Sequence, residues 1–117
     1  MKRILIVEDE PVIAMLLEEI LTDNGFEIAA IATTVEQAMA LAGSLELDGA
    51  LLDVSLGEDD VFPVARVLDE RGLPFAFTTG YGAAGLPTEW ETRPVFTKPY
   101  DIQLLAETLG KLTGHTR

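Results

Sequence analysis

Two short apolar segments of the chain each end in acidic residues. Residues 4–7 are followed by Glu8, Asp9 and Glu10, and residues 50–52 are followed by Asp53. If the segments are neighbouring parallel strands, their carboxyl ends meet at one edge of a sheet and the acids converge there. Carboxylates this close repel one another, and a hard divalent cation with oxygen ligands removes that repulsion. The pattern therefore predicts a Mg²⁺ site at this edge.

Two further polar residues follow predicted strands, Thr79 and Lys98. A carboxylate such as Asp53 is a competent nucleophile toward a phosphoryl group. Mg²⁺ on Asp9 and Asp53 can bridge to phosphoryl oxygens, while the lysine and the threonine supply a cation and a hydroxyl donor. A dianionic phosphoryl group would otherwise be repelled by the acids. Together these residues predict a phosphoryl-transfer site.

Composition limits the possible classes of protein. The chain has 117 residues, 48% of them hydrophobic, which predicts a single domain over 1–117. Within this domain we expect a folded core of about 2–112 and a frayed tail at 113–117. A formal charge of −12 makes a nucleic-acid partner improbable, because such a surface cannot neutralise phosphates. Cysteine is absent, which excludes disulfides and thiolate zinc sites. The apolar run near the amino terminus is too short for a membrane span, so we expect a cytoplasmic protein.

Predicted strands and helices alternate along the chain. Strands are expected at 4–7, 26–32, 49–54, 74–79 and from 95 to Lys98, and helices at 9–24, 35–43, 61–68 and 102–112, with residues 58–60 as the acidic start of the third helix. Continuous apolar strands alternating with helices are typical of a parallel sheet covered on both faces. We predict a doubly wound α/β fold, flavodoxin-like, with five strands in the order 2-1-3-4-5.

The segment 80–87 contains three glycines and a proline. Each interior glycine disfavours a helix by about 1 kcal/mol relative to alanine. We therefore expect any helix there to be short or partly melted, and the segment to be the most mobile of the chain.

These residues give the chain, from residue 1 to about residue 112, a resemblance to the receiver domain of bacterial two-component response regulators, the CheY-like family. The family's acid pair corresponds to Glu8 and Asp9, its phosphorylated aspartate to Asp53, its switch hydroxyl to Thr79, and its lysine and following proline to Lys98 and Pro99. The resemblance implies Mg²⁺ bound by Asp9, Asp53 and the backbone carbonyl of Ser55, with Glu8 acting mainly through water. It also implies that Gly80 leaves room for the phosphoryl group.

Residues 74–82 are also similar to the Phe-Ala-Thr-Gly-Tyr signature of a receiver subfamily, often single-domain, that is found with HWE or HisKA2 sensor kinases. Thr78 replaces the commoner alanine of that signature. At the position where receivers usually have an aromatic switch residue, three residues before Lys98, this chain has Val95. Tyr81 is the nearest aromatic residue that could take the role of that switch residue. Tyr81 is therefore a hypothetical member of the switch, with Thr79 and Gly80.

The resemblance implies a phosphorelay receiver that takes a phosphoryl group from a sensor histidine kinase and passes the signal to a further protein. We expect no enzyme activity beyond self-phosphorylation and autodephosphorylation, no output domain, no membrane contact, and a monomer or weak dimer. Three alternatives stay open. An aspartate-nucleophile phosphatase would need an acid where Ser55 stands, and a flavin-binding module would place its phosphate loop against residues 8–10. A pseudo-receiver is disfavoured because every phosphorylation residue is present.

Overall fold

The computed structural model describes residues 1–57, 59–80, 86–90, 92–97 and 101–114. The strands are β1 (Arg3–Val7), β2 (Glu27–Ala32), β3 (Gly49–Asp53), β4 (Ser55–Leu56), β5 (Asp59–Asp60), β6 (Phe75–Thr79) and β7 (Val95–Thr97). The helices are α1 (Pro11–Asp23), α2 (Val35–Ser44), α3 (Phe62–Glu70) and α4 (Ile102–Thr113), and a 3₁₀ turn covers Thr88–Trp90. Within these ranges no helix is both long and apolar enough to cross a membrane.

Five of the strands form one parallel sheet in the order β2-β1-β3-β6-β7. Strands β4 and β5 form a separate antiparallel hairpin and do not belong to this sheet. When only the strands of the sheet are counted, β6 and β7 are the fourth and the fifth, and the order is the 2-1-3-4-5 predicted from the sequence. The doubly wound α/β fold is thus confirmed. In such sheets the order of the strands reverses beside the first strand, and ligands bind at the carboxyl ends next to that point.

The sheet separates two apolar cores, one on each face. Leu52 and its neighbour in register, Phe77, lie in the core beneath α2 and α3. Leu51 and its neighbour, Ala76, lie in the other core, which α1 and α4 cover. Successive residues of each strand therefore face opposite cores, and this alternation fixes the face on which each residue at a strand end projects.

Side-chain caps fix where two of the helices begin. The Thr34 hydroxyl accepts a hydrogen bond from the Gln37 N–H over 3.1 Å at the start of α2. At the start of α4, Asp101 Oδ1 accepts from the Leu104 N–H over 3.0 Å. Both caps were expected from the sequence, because hydroxyl and carboxylate side chains satisfy the first N–H groups of a helix. Gly25 follows α1 with φ of +86°, the conformation expected of a glycine at a helix end.

Helix α4 reaches one residue into the segment predicted to fray. Its last residue, Thr113, is buried, and its hydroxyl donates to the Leu109 carbonyl over 2.8 Å. Gly114 caps the helix with φ of +72°. Residues 115–117 lie outside the described part of the chain.

The acidic segment after β3 differs from the sequence-based prediction. Asp59 and Asp60 do not begin a helix but form β5, which pairs with β4. Gly57 has φ of +63°, which glycine adopts at no steric penalty and which permits the tight turn. Leu56 is buried, so the hairpin folds back against the core. The prediction of a helix-starting cluster is wrong for these two aspartates, and Glu58 lies outside the described residues.

The predicted weak helix falls largely on residues 81–85, which lie outside the described ranges, so its mobility stays a prediction. In the described part that follows, the 3₁₀ turn ends at Trp90. The Trp90 ring packs edge-to-face on Phe75 and Phe77, with centroid distances of 5.6 Å and 6.3 Å. The indole thus covers β6 on the α3 side of the sheet.

Arg93, three residues after Trp90, links the segment that follows the 3₁₀ turn to α3. Its guanidinium lies 4.5 Å from the centroid of the Phe75 ring and forms an ion pair with Asp69. A second ion pair joins Arg66 of α3 to Glu89 of the 3₁₀ turn. These contacts tie the connection between β6 and β7 to the surface of α3.

Candidate functional site

Three consecutive acidic residues follow β1 at the carboxyl edge of the sheet. The Glu8 side chain is fully buried, Asp9 is half-buried and Glu10 is exposed. Carboxylate oxygens of all three lie within 4.8 Å of one another. The Glu10 N–H donates to Glu8 Oε1 over 3.3 Å. This proximity concentrates negative charge at one point and favours a hard cation.

Asp53 is the last residue of β3, the strand beside β1, and its side chain is 5% exposed. Its Oδ1 accepts a hydrogen bond from the Ser55 N–H over 3.3 Å. Val7 and Leu52 are neighbours in register, so Glu8 and Asp53 follow them at the same level of the sheet. The pairing of β1 with β3 thus brings Asp53 beside the acidic triplet.

A cleft of about 390 Å³ opens at this edge. Its lining consists of Asp9, Glu10, Asp53, Ser55, Gly57, Thr79 and Gly80. Thr79 ends β6 and is buried, whereas the space beside Gly80 is open, since a Cβ added there would meet no heavy atom within 4 Å. Carboxylates, a hydroxyl and backbone groups therefore surround a space that can accept a cation together with a tetrahedral anion.

The β4–β5 hairpin contributes a contact that the sequence did not predict. The Gly57 N–H donates to Asp9 Oδ2 over 2.9 Å. This hydrogen bond connects the hairpin to the acidic segment that follows β1 and holds one oxygen of the Asp9 carboxylate in place.

The structure brings most of the predicted site residues together. Asp9, Asp53, Ser55, Thr79 and Gly80 all line the cleft, and Glu8 lies in the buried part of the adjoining acidic triplet. Glu10, which was not among the predicted metal ligands, also lines the cleft. Lys98 and Tyr81 lie outside the described residues, so their contributions to the site stay predictions from the sequence.

The donor set fits Mg²⁺. Asp9 and Asp53 present carboxylate oxygens to one cleft, and the acidic triplet consists of oxygen donors alone. Mg²⁺ prefers such hard donors, is bound through one or two carboxylates, and keeps several water ligands. The open cleft gives room for those waters.

The fold and this edge define a doubly wound α/β domain with an acidic cleft at its strand-order reversal. The chain belongs to the response regulator receiver domain family, whose model matches residues 4–109. It is therefore a receiver domain of the two-component type, as the sequence resemblance predicted.

Individual relatives support this assignment. The transcriptional regulatory protein TcrA of Mycobacterium tuberculosis is 34% identical over 118 residues, covering 95% of this chain and 46% of TcrA. The solution structure of SdrG from Sphingomonas melonis Fr1 is 38% identical, with a TM-score of 0.84 and coverage of 96% of both chains. The receiver domain of the sensor histidine kinase PA1611 from Pseudomonas aeruginosa has the same fold, at 22% identity, a TM-score of 0.81 and coverage of 97% and 98%.

The PA1611 receiver domain is described with a magnesium ion coordinated in its active-site cleft. The present chain spans about half the length of the curated relatives it matches, 49% and 46% of the first two.

Proposed function

We propose that this chain is a phosphorelay receiver whose Asp53 accepts a phosphoryl group from a histidine kinase, with Mg²⁺ in the adjacent cleft. The observation that carries this proposal is the position of Asp53. Its nearly buried carboxylate opens into a cleft that Asp9 and Thr79 also line. A nucleophile, a metal-binding acid and a hydroxyl donor therefore share one small space.

The transfer forms one bond and breaks one bond. An oxygen of the Asp53 carboxylate bonds to phosphorus, and the bond from phosphorus to the donor nitrogen of a phosphohistidine breaks, with its electron pair leaving on the imidazole. Asp9, Asp53 and the Ser55 carbonyl would hold Mg²⁺, with Glu8 acting through water. When bound, the ion supplies positive charge to the phosphoryl oxygens. The Thr79 hydroxyl and the Lys98 ammonium would meet the remaining oxygens, the lysine on the strength of the sequence alone.

Phosphorylation would act as a switch rather than as one step of an enzyme cycle. The aspartyl phosphate adds negative charge and acceptor oxygens, which would draw Thr79 and the residues after it into a new arrangement. Val95, half-buried beside Phe77 in register, occupies the place of the usual aromatic switch residue. We propose that Tyr81 would act as the aromatic switch residue in place of Val95. Water attacking the same phosphorus would return the domain slowly to its resting form.

We infer that the partner kinase is of the HWE or HisKA2 type and that the encounter takes place in the cytoplasm. The signature at residues 74–82 supports this subfamily. A downstream protein would recognise the phosphorylated form.

The kinase would dock on the outer face of α1, which begins two residues after Asp9. Val12, Met15 and Leu16 are 77%, 67% and 42% exposed on this face. The surrounding surface is acidic, with Glu18, Glu19 and Asp23. A second acidic copy of the chain would be repelled here, whereas a kinase surface with apolar residues and a basic rim would be complementary.

The proposal is tested by incubating the protein with Mg²⁺ and acetyl phosphate and measuring phosphoryl incorporation. Wild type is expected to be labelled and Asp53→Asn to stay unlabelled, because the amide is not a nucleophile toward phosphorus. Asp59→Asn is a matched control, since it removes an exposed acid of the hairpin outside the cleft lining. Absence of label on wild type, or equal labelling of Asp53→Asn, would overturn the proposal.

A further inference from the structure

Thr78 lies beside Asp53 on the same face of the sheet. The two residues are neighbours in register across β3 and β6. One step earlier on each strand, Leu52 and Phe77 face the α2–α3 core, and two steps earlier Leu51 and Ala76 face the α1–α4 core. The alternation of side chains along a strand therefore directs Thr78 and Asp53 together toward the α1–α4 side.

Three polar residues cap this core at the carboxyl edge. Glu8 directly follows β1, Asp53 ends β3, and Thr78 is the last residue but one of β6. The register of these neighbouring strands places the three residues at one level, and they are 0%, 5% and 1% exposed. Beneath them the same strands carry apolar residues, Ile6, Leu51 and Ala76. Thr78 thus follows the apolar residues of this core along β6 and lies beside Asp53, which lines the cleft.

This hydroxyl has no hydrogen-bond partner within the part of the chain that the structure describes. A buried hydroxyl without a partner destabilises a fold, and valine has the same shape and a comparable strand preference without that penalty. Other threonines use their hydroxyls, as Thr34 does at the cap of α2 and Thr113 does on the Leu109 carbonyl. The Thr78 hydroxyl therefore needs an explanation outside the packing of the resting fold.

We propose that the Thr78 hydroxyl is a second hydroxyl donor to the aspartyl phosphate on Asp53, in addition to Thr79. This inference rests on the proposed phosphoacceptor function. Phosphorylation brings new acceptor oxygens to a side chain directly across from Thr78. The threonine keeps its proton and donates only a hydrogen bond, so it is a positioning residue. Because the bond forms only in the phosphorylated state, it stabilises that state selectively.

The test compares Thr78→Val, which removes the hydroxyl at constant shape, with Thr78→Ser, which keeps it. After labelling with Mg²⁺ and acetyl phosphate and removal of the donor, the lifetime of the phosphorylated protein is measured. Thr78→Val is expected to shorten the lifetime by about fivefold, the effect of losing one ordinary hydrogen bond. Thr78→Ser should stay within about twofold of wild type, because the donor is retained.

The thermal midpoint of the unphosphorylated protein separates this role from a structural one. Thr78→Val is expected to raise the midpoint by about 3 °C, since it removes an unsatisfied buried hydroxyl. A hydroxyl that supported the resting fold would instead lower the midpoint on removal. Thr113→Val, at a buried hydroxyl far along α4, should leave the lifetime unchanged.

Three results would overturn the inference. A Thr78→Val lifetime equal to that of wild type would do so, as would a Thr78→Ser lifetime as short as that of Thr78→Val. A lowered midpoint in Thr78→Val would show that the hydroxyl serves the resting fold. In each case a labelled wild type leaves the phosphoacceptor proposal standing, whereas an unlabelled wild type removes both.

Discussion

Asp9 and Gly57 are joined by a hydrogen bond of 2.9 Å from the glycine N–H to the aspartate Oδ2, across 48 positions of the chain. The bond makes the β4–β5 hairpin a support for the proposed metal ligand. Gly57 can hold this position because its φ of +63° lies in the region that residues with a side chain rarely adopt. The turn and the metal site are therefore linked through one backbone amide.

Replacing Gly57 by alanine should weaken Mg²⁺ binding. The substitution is expected to destabilise the native turn by about 1 kcal/mol and to move the N–H away from Asp9. Loss of a group that orients a metal ligand typically lowers affinity by about tenfold. Calorimetric titration with Mg²⁺ measures the affinity, and urea unfolding measures the stability.

Gly72→Ala is the matched control for this prediction. Gly72 has φ of +70°, and a Cβ added there, as at Gly57, meets nothing within 4 Å. It follows α3 and is not part of the cleft lining, so the same backbone penalty should reduce stability and leave Mg²⁺ affinity unchanged. Equal losses of affinity in both variants would show that the Gly57 hydrogen bond has no specific role.

Trp90 should contribute more to stability than its position in a three-residue 3₁₀ turn suggests. Its ring is 3% exposed and packs on Phe75 and Phe77, so Trp90→Ala is expected to lower the free energy of unfolding by about 3–5 kcal/mol. Trp90→Phe should cost less, because the indole N–H has no partner among the described residues and no hydrogen bond is lost. Urea unfolding followed by circular dichroism measures both.

Leu104→Ala provides the comparison for Trp90, since Leu104 is 51% exposed on α4 and should change stability by less than about 0.5 kcal/mol. If Trp90→Ala cost no more than Leu104→Ala, the aromatic cluster would not be part of the core.

Much of this fold could be predicted from the sequence, because most strands of the sheet are largely apolar runs and two of its helices, α2 and α4, begin at recognisable side-chain caps. The β4–β5 hairpin could not be predicted in the same way. Its strands are two residues long and mostly polar, so they carry neither alternation nor an apolar run. What fixes them is tertiary, namely the burial of Leu56 and the bond from Gly57 to Asp9.

The site was predictable to a similar degree. Asp9, Asp53 and Thr79 could be recognised because each lies at the end of a strand or just after it, and parallel strands bring such ends together. Thr78 was noted only as a departure from a signature. Its relation to Asp53 depends on the exact register of β3 and β6, which a single sequence does not specify.

The outer face of α1 should matter for transfer from a kinase and not for transfer from a small phosphodonor. Met15→Glu places a charge in the centre of the exposed apolar face. It is expected to slow phosphotransfer from a phosphorylated histidine kinase by about tenfold, because it adds a charge that must be desolvated at an apolar contact. Labelling by acetyl phosphate should be unchanged, since that donor needs only the cleft.

Leu104→Glu tests whether any exposed apolar residue would give the same result. Leu104 is exposed on α4 to a similar extent as Leu16 on α1, and its substitution should leave kinase transfer within about twofold of wild type. Equal slowing by both substitutions, or no slowing by Met15→Glu, would place the kinase contact elsewhere.

The most direct test of the account locates the phosphoryl group chemically. Borohydride reduces an aspartyl phosphate to homoserine, and mass spectrometry of peptides identifies the modified position. After treatment with Mg²⁺ and acetyl phosphate, we predict homoserine at residue 53 alone, and none when Mg²⁺ is withheld. Homoserine at another aspartate, or an unmodified residue 53 in protein that has taken up label, would contradict the assignment of Asp53 as the phosphoacceptor.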